Sequence, residues 1–452
     1  MVTTQAARRL RGAWYTPPEL VDLVVGAVLD HATLPSRERR VTVLDPACGD
    51  GRFLRSIGDR LVAAGRTVHL TGCDIDADAV AAADACLAGR HHEVLHDDAL
   101  TRPWGDARYD IVVGNPPFLS QLAAATTRGG SSAHGGGPYA DAAVEFLALA
   151  VRLAEPSGGL VGFVLPQSIL AARDARPVRT DVARLADLVW SWWRPDQRHF
   201  DANVNVCALA LRRPGTSGSI DWTSVVTDVL GVPAAAGHRS NGTVGDRADL
   251  NANFRDEYYA LVPAVSDHAD GPPLVTSGLI DPGVCHWGSR DVRFAKRRFA
   301  APRVDLSMLE GRFAAWAERK LVPKVLVANQ TSVVEAVADP DGAWLPGVPV
   351  TAVTPSGPTS VWELAAVLTS PVASALAWRL TAGTGLSTRS MRVGPAVLAA
   401  LPWPAGPLDD AVAALRDGDV DGCARHTIEA FGVGDGAAEL LSWWSARRPG
   451  RP

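Results

Sequence analysis

Asp110-Ile111-Val112-Val113-Gly114-Asn115-Pro116-Pro117-Phe118 is an apolar run that ends abruptly in an amide, two prolines and an aromatic ring. Ile111-Val112-Val113 reads as a buried strand of a parallel sheet. Pro116 and Pro117 cannot continue a strand ladder, and each restricts the residue before it to extended backbone. The outcome is a stiff, non-helical turn at the carboxyl edge of a sheet, where open α/β folds place their chemistry. It fixes two acceptors in space, the Asn115 side-chain oxygen and the Pro116 carbonyl, with Phe118 as a flat wall beside them. That set suits a planar amino group held for attack on an electrophile. An ordinary strand-ending turn can also carry such a run, so the flanking sequence decides.

Upstream, Gly12 to Leu20 opens a helix, with Thr16 as N-cap, Pro17 in the first turn and Glu19 completing a capping box. Leu20, Leu23, Val24, Ala27 and Val28 then recur at helical spacing. Val41-Thr42-Val43-Leu44 reads as a strand, followed by Asp45-Pro46-Ala47-Cys48-Gly49-Asp50-Gly51 and a helix. Gly49 and Gly51 let the backbone turn sharply and approach a ligand closely. The spacing is not the dinucleotide fingerprint, and no phosphate-loop lysine follows, so a phosphate-free nucleoside fits better. A second strand, Val68 to Cys73, ends in Asp74-Ile75-Asp76, where a carboxylate can hold two ribose hydroxyls. Asp76 also reads as the N-cap of an alanine-rich helix from Asp78 to Leu87. A third strand, Glu93-Val94-Leu95, ends at Asp97-Asp98-Ala99-Leu100, where a carboxylate can accept from an adenine amino group. Three consecutive strands thus end in a carboxylate or an amide on one sheet edge. Chance turn chemistry accounts for any one of these better than for all of them.

Downstream, Thr126 to Pro138 contains Gly129-Gly130-Ser131-Ser132-Ala133-His134-Gly135-Gly136-Gly137, the composition of a mobile loop. It reads either as a surface insertion or as a flap beside the reacting amino group that orders on substrate binding. A helix from Ala140 to Ala154 leads to the strand Leu160 to Leu165. Trp190-Ser191-Trp192-Trp193 reads as packing, ahead of Phe200 and a final strand pair around Val204 to Leu211. Composition shifts at Pro214-Gly215-Thr216-Ser217-Gly218-Ser219, which suggests domains at 1–214 and 246–452 joined by a linker zone at 215–245.

The 452 residues exceed the usual single-domain size, so two domains are expected. A hydrophobic fraction of 47% and a mean hydropathy of +0.05 describe a globular protein with ample core. No stretch reaches the apolar length of a membrane span, and Met1 to Arg11 lacks a following signal-peptide core. The six cysteines, Cys48, Cys73, Cys86, Cys207, Cys285 and Cys423, show no paired metal-ligand spacing. Reduced, buried thiols, no structural metal and a cytoplasmic location are therefore expected. A net charge of −5 argues against a uniformly basic nucleic-acid coat. Any such contact is local, and the most basic part runs from His286 to Val325. It includes Arg290, Arg293, Lys296, Arg297, Arg298, Arg303, Arg312, Arg319, Lys320 and Lys324. Such an excess is commonly a solvated face, and in this chain it is also the candidate phosphate-contacting surface.

The chain resembles the N6-adenine-specific DNA methyltransferases of the gamma class, the TaqI-like group of restriction-modification systems. Asn115-Pro116-Pro117-Phe118 matches the catalytic motif. Asp45-Pro46-Ala47-Cys48-Gly49-Asp50-Gly51 matches the S-adenosylmethionine loop, and Tyr15-Thr16-Pro17-Pro18 the motif before it. The similarity runs through residues 12 to 211, and Val397 to Pro404 resembles the closing segment of a target-recognition domain. The resemblance implies an α/β methyltransferase fold, Rossmann-like with a seven-stranded mixed sheet, followed by an α+β target-recognition domain. It places Tyr15 and Thr16 near the methionine end of S-adenosylmethionine, and Asp45, Ala47, Cys48, Gly49 and Gly51 in the loop under it. Asp74 would hold the ribose, with Ile75 packed on the adenine. Asp98, with Ala99 beside it, fits the adenine amino contact better than Asp97. Phe118 and Phe200 would sandwich a flipped target adenine. Double-stranded DNA is the implied partner, for which Arg293, Lys296, Arg297 and Arg298 of the basic stretch are the candidate contacts, with a cognate restriction endonuclease as a possible companion.

Two other readings remain open at this level. Methyltransferases of protein glutamine amides or RNA bases share Asn-Pro-Pro-aromatic, although a long C-terminal half is unusual for them. Glu318-Arg319-Lys320 with Asp305 resembles a nuclease set, but Phe313, Trp316 and Ala317 put Glu318 on a helix rather than a strand.

Overall fold

The computed structural model describes residues 16–118, 134–137, 140–195, 205–235, 237–252, 255–385 and 387–449. Two compact units divide the chain, Met1–Val229 and Leu230–Pro452. The first is built on seven strands: β1 (Val41–Asp45), β2 (Val68–Asp74), β3 (His92–His96), β4 (Ile111–Gly114), β5 (Leu160–Pro166), β6 (Asp187–Trp193) and β7 (Val206–Arg212). Their order is β3-β2-β1-β4-β5-β7-β6. β1 pairs in parallel with β2 and β4, as do β2 with β3 and β4 with β5, whereas β7 runs antiparallel to β5 and β6. This is the seven-stranded mixed sheet that the resemblance implies.

The chain steps outward from β1 to β2 and β3, then returns to lay β4 on the other side of β1. Crossovers between parallel strands are right-handed, so the reversal sends the helices to opposite faces. Helices α2 (Arg52–Ala63) and α3 (Ala77–Leu87) cover one face, joined there by α1 (Pro18–His31), and α4 (Ala142–Leu153) and α5 (Arg176–Leu185) cover the other. The crevice between the carboxyl ends of β1 and β4 is the topological switch point. At the opposite end, Asp110 fixes β4 beside β1: its Oδ2 accepts from Thr42 N at 2.9 Å and Thr42 Oγ1 at 3.0 Å, and Arg39 pairs with its other oxygen.

Three local expectations change. Thr16 is not the cap of α1; Pro17 occupies that position with no side-chain cap, and Pro18 begins the helix. Thr16 is instead buried, its carbonyl accepting from the Arg52 guanidinium. Of the expected apolar stripe on α1, Leu20, Val24, Ala27 and Val28 are buried but Leu23 is exposed. The tryptophan run is itself the edge strand β6, where Trp193 is buried and Trp190 and Trp192 are half-buried. Asp76 caps α3, accepting from Asp78 N at 3.0 Å.

In the second unit, β8 (Ala248–Ala252), β11 (Lys324–Ala328), β12 (Ala336–Asp339) and β13 (Val350–Pro355) form an antiparallel sheet ordered β12-β11-β13-β8. A hairpin of β9 (Val292–Phe294) and β10 (Arg297–Phe299) and the helix α6 (Arg312–Lys320) share its core. The mixture is α+β, as expected. Lys324 and Asp339 pair at 2.5 Å in full burial, and Asp339 also accepts from Ala343 N and Trp344 N. Lys324 is thereby withdrawn from the basic surface read from the sequence. Among the described residues no single helix is long and apolar enough to cross a membrane.

Candidate active site

Each of β1, β2, β3 and β4 delivers a polar residue to the same carboxyl edge of the sheet. Asp45 closes β1 and is almost wholly buried, its Oδ1 accepting from Ala47 N at 3.0 Å. Burial, reinforced by the nearby Asp74 and Asp50 carboxylates, holds the Asp45 carboxyl well above the usual range. Such a pocket favours a cation, which would draw the carboxyl back to its ionised form.

Beyond Asp45 the chain turns tightly. Cys48 N donates to Cys73 O at 2.9 Å, and Gly51 N to Cys48 O at 2.8 Å. Gly49 (φ 54°) and Gly51 (φ 78°) take left-handed backbone, and Gly51 caps α2. The Cys48 side chain is buried against β2; a Cβ on Gly72 would lie 2.9 Å from its sulfur. Burial and the Asp45 and Asp74 carboxylates push this thiol up, so it packs rather than reacts.

Asp74, at the end of β2, accepts one main-chain N–H on each oxygen, from Gly49 and from Asp76, both at 2.9 Å. A carboxylate oxygen takes two donors, so each keeps room for one more, the requirement for a ribose diol. Ile75 beside it is 64% exposed, a large apolar side chain left on the surface at the site's rim. After β3, Asp97 is taken up by Arg102 at 2.8 Å. Asp98 Oδ1 accepts from Leu100 N at 3.0 Å, and Ala99 is buried with its carbonyl accepting from Trp104 Nε1 at 2.9 Å. These residues fit the cofactor that the motifs imply: an apolar ledge, a diol acceptor and a second carboxylate in one row.

β4 delivers Asn115, Pro116, Pro117 and Phe118 next to β1. The register Leu44↔Val112 puts Gly114 level with the end of β1. A Cβ on Gly114 would meet Asp45 Oδ1 at 2.5 Å, so only glycine lets β4 end there. The Asn115 Oδ1 atom is buried, as are Pro116 and Phe118. Tyr15 and Phe200 lie outside the described residues.

Sequence reading missed three contributors. Gly114 carries the close approach just described. Arg52 joins the loop from Asp45 to Gly51, through Asp50 at 2.5 Å, to the Thr16 carbonyl. Glu145, on α4, accepts from His134 N and Gly136 N at 2.7 Å each, so residues 134–137 of the glycine-rich stretch are held rather than loose. A glycine ending an apolar strand signalled the first; Arg52 reaches a residue 36 positions away and Glu145 reaches back 9 and 11 positions past the start of its helix, contacts that no local pattern announces.

In the second unit, the β9–β10 hairpin pairs Val292 with Phe299, Arg293 with Arg298 and Phe294 with Arg297. Val292, Phe294 and Phe299 are buried; Arg293, Lys296, Arg297 and Arg298 are all exposed. Ala295 (φ 47°) and Lys296 (φ 65°) form the turn. Glu318 lies exposed on helix α6, which removes the nuclease-like set.

A row of carboxylates before an amide and two prolines, at the switch point of this sheet, fits the arrangement expected of an S-adenosylmethionine-dependent methyltransferase acting on an amino nitrogen. Residues 2–182 match the family described as N-6 DNA Methylase, and the chain is similar to methyltransferases of restriction-modification systems. It is 21% identical over 289 residues to the modification methylase CviBIII of Paramecium bursaria Chlorella virus NC1A, covering 64% of this chain and 70% of that one. It is 30% identical over 198 residues to a type II methyltransferase of Thermus thermophilus, 40% of each chain. The solved methyltransferase subunit of a type I restriction-modification system from Streptococcus thermophilus superposes with a TM-score of 0.37 at 18% identity, over 45% of each chain. The chain thus spans less than half the length of the Thermus relative.

Proposed function

We propose that the protein transfers a methyl group from S-adenosylmethionine to N6 of an adenine in duplex DNA, at one short defined sequence, as a gamma-class enzyme. The observation that carries this reading is the convergence of Asp45, Asp74, Asp98 and Asn115-Pro116-Pro117-Phe118 on one sheet edge. The cofactor supplies an electrophilic methyl-sulfonium. The adenine amine is a weak nucleophile because its lone pair is delocalised into the ring. Asn115 Oδ1 and the Pro116 carbonyl, accepting from its two hydrogens, favour the pyramidal nitrogen of the transition state. Pro117 stiffens the turn that holds both acceptors. A base stacked in a duplex cannot reach such a pocket, so the target is flipped out, with Phe118 and Phe200 as its stacking partners.

The part of the second unit from residue 246 onward is assigned to target recognition, with Arg293, Lys296, Arg297 and Arg298 on the phosphates. A cytoplasmic location and a cognate endonuclease fit this role. Mass spectrometry of digested DNA from cells expressing the protein tests the reading. N6-methyladenine should be present, and absent from an Asn115→Ala control; N4-methylcytosine alone, or labelled protein or RNA, would overturn it.

A further inference from the structure

The turn that carries Asp98 is held from its carbonyl side, and one of the contacts comes from beyond the Asn-Pro-Pro-Phe motif. Asp98 O accepts from Thr101 N and Arg102 N, and the Ala99 carbonyl accepts from the Trp104 indole. The Leu100 carbonyl lies 3.0 Å from Nε2 of His134, 34 residues further along the chain.

His134 is itself fixed on three sides by α4. Its main-chain N–H donates to Glu145 Oε2 at 2.7 Å, and Gly136 N–H donates to Oε1 at the same distance. Glu145 is 5% exposed, so both oxygens of a buried carboxylate are spent on this one short segment. Two turns further along the same helix face, Arg152 places Nη1 3.2 Å from His134 Nδ1 and Nη2 3.5 Å from its carbonyl. The room is as specific as the bonds: a Cβ on Gly136 would strike Glu145 Oε1, and one on Gly137 would lie 2.6 Å from Asp174 Oδ1.

These contacts determine the tautomer. A guanidinium has only donors, so Nδ1 accepts from Arg152, and a neutral imidazole then carries its proton on Nε2, aimed at the Leu100 carbonyl. We propose that His134 is a positioning residue for cofactor binding, whose Nε2–H, oriented by Arg152 and Glu145, holds the Leu100 carbonyl and with it the Asp98 carboxylate in the geometry that receives the cofactor's adenine amino group. The proposal rests on the reading that the Asp98 turn binds that adenine.

Calorimetric titration of S-adenosylmethionine into the full chain tests both. Asp98→Ala and His134→Ala should each weaken binding about tenfold, the scale of removing one hydrogen bond from a partly buried partner. The double variant should bind no more weakly than Asp98→Ala, because His134 acts through Asp98. His134→Gln keeps a donor for the Leu100 carbonyl and should return to within about threefold of the wild type. In turnover assays the loss should fall on the cofactor KM rather than on kcat. Unchanged binding in His134→Ala beside a weakened Asp98→Ala would overturn the role of His134 alone. So would fully additive losses, or a His134→Gln variant that melts like the wild type yet binds as weakly as the alanine. An Asp98→Ala variant with wild-type affinity would remove the adenine assignment, and this inference with it.

Discussion

Asp45 and Gly114 face each other across the ends of β1 and β4 with no room for a methyl group between them, the hypothetical Cβ falling 2.5 Å from Asp45 Oδ1. The contact joins the floor of the cofactor site to the residue immediately before Asn115. Gly114→Ala should therefore displace either the carboxylate or the catalytic turn. A misplacement of about 1 Å at a reacting group costs on the order of a hundredfold in rate. We expect kcat to fall by that much while the melting temperature drops only a few degrees, the ordinary effect of one added methyl in a packed site. Near-normal kcat would show that the turn tolerates the shift.

Asn115→Ala should nearly abolish methyl transfer while cofactor binding stays within about threefold, since its oxygen is assigned to the target amine. Removing one preorganised hydrogen-bonding group from a transition state costs roughly a hundred- to a thousandfold. Single-turnover methylation and cofactor titration, run side by side, separate the two effects. Equal losses in both would make Asn115 a structural residue of the turn.

How far the sequence discloses this site depends on the range of the interaction. Residues ending strands are fixed by local alternation and by proline, so Asp45, Asp74, Asp98 and Asn115 could be placed on one edge from the chain alone. The order of β6 and β7 followed less clearly, because Trp190 and Trp192 read as packing residues although they stand on an edge strand. Thr16 looked like a cap because serine, threonine and aspartate before a helix usually are. Here Pro17 holds that position, and the Arg52 guanidinium reaches the Thr16 carbonyl instead. Contacts such as Glu145 with His134, or Lys324 with Asp339, depend on how separate segments dock, and no local pattern announces them. Lys324 in particular sits in a basic run, and only its burial distinguishes it from exposed members of that run such as Arg319.

The second unit contains a stability switch in the basic direction. Burial, and then the Asp281 carboxylate, push Glu335 up to about 8, against a smaller opposing effect of Arg290. An acid whose folded value is raised stabilises fully below its unfolded value, near 4.5, and loses that contribution as pH rises through about 8. Between those limits folding takes up a proton, so stability falls with rising pH. Glu335→Gln keeps the shape without the titration. It should match the wild type at about pH 5 and exceed it at about pH 9, by on the order of a few kcal/mol. Chemical denaturation at the two pH values measures the difference, and a constant gap would place the titration elsewhere.

The β9–β10 hairpin carries an arrangement that folding alone would not favour. Arg293 and Arg298 are directly opposed, a like-charge pair that destabilises an antiparallel ladder. Lys296 adopts φ 65° in a turn where asparagine or glycine is preferred. Asp291 relieves part of the repulsion by pairing with Arg298 at 2.7 Å. Arg293 and Lys296 meet no acidic partner among the described residues. A polyanion laid along this face would supply what the fold does not. Replacing Arg293, Lys296, Arg297 and Arg298 together by glutamine should therefore do two things. The protein's melting temperature should hold or rise, because the opposed charges are gone. DNA affinity should fall, and the slope of log affinity against log salt should flatten by roughly one unit for each phosphate no longer neutralised. Filter binding across a salt series gives the slope directly. A variant with weaker binding but the wild-type slope would mean that the hairpin contributes something other than charge neutralisation of the backbone. An unchanged affinity would move the DNA-facing surface to another part of the second unit.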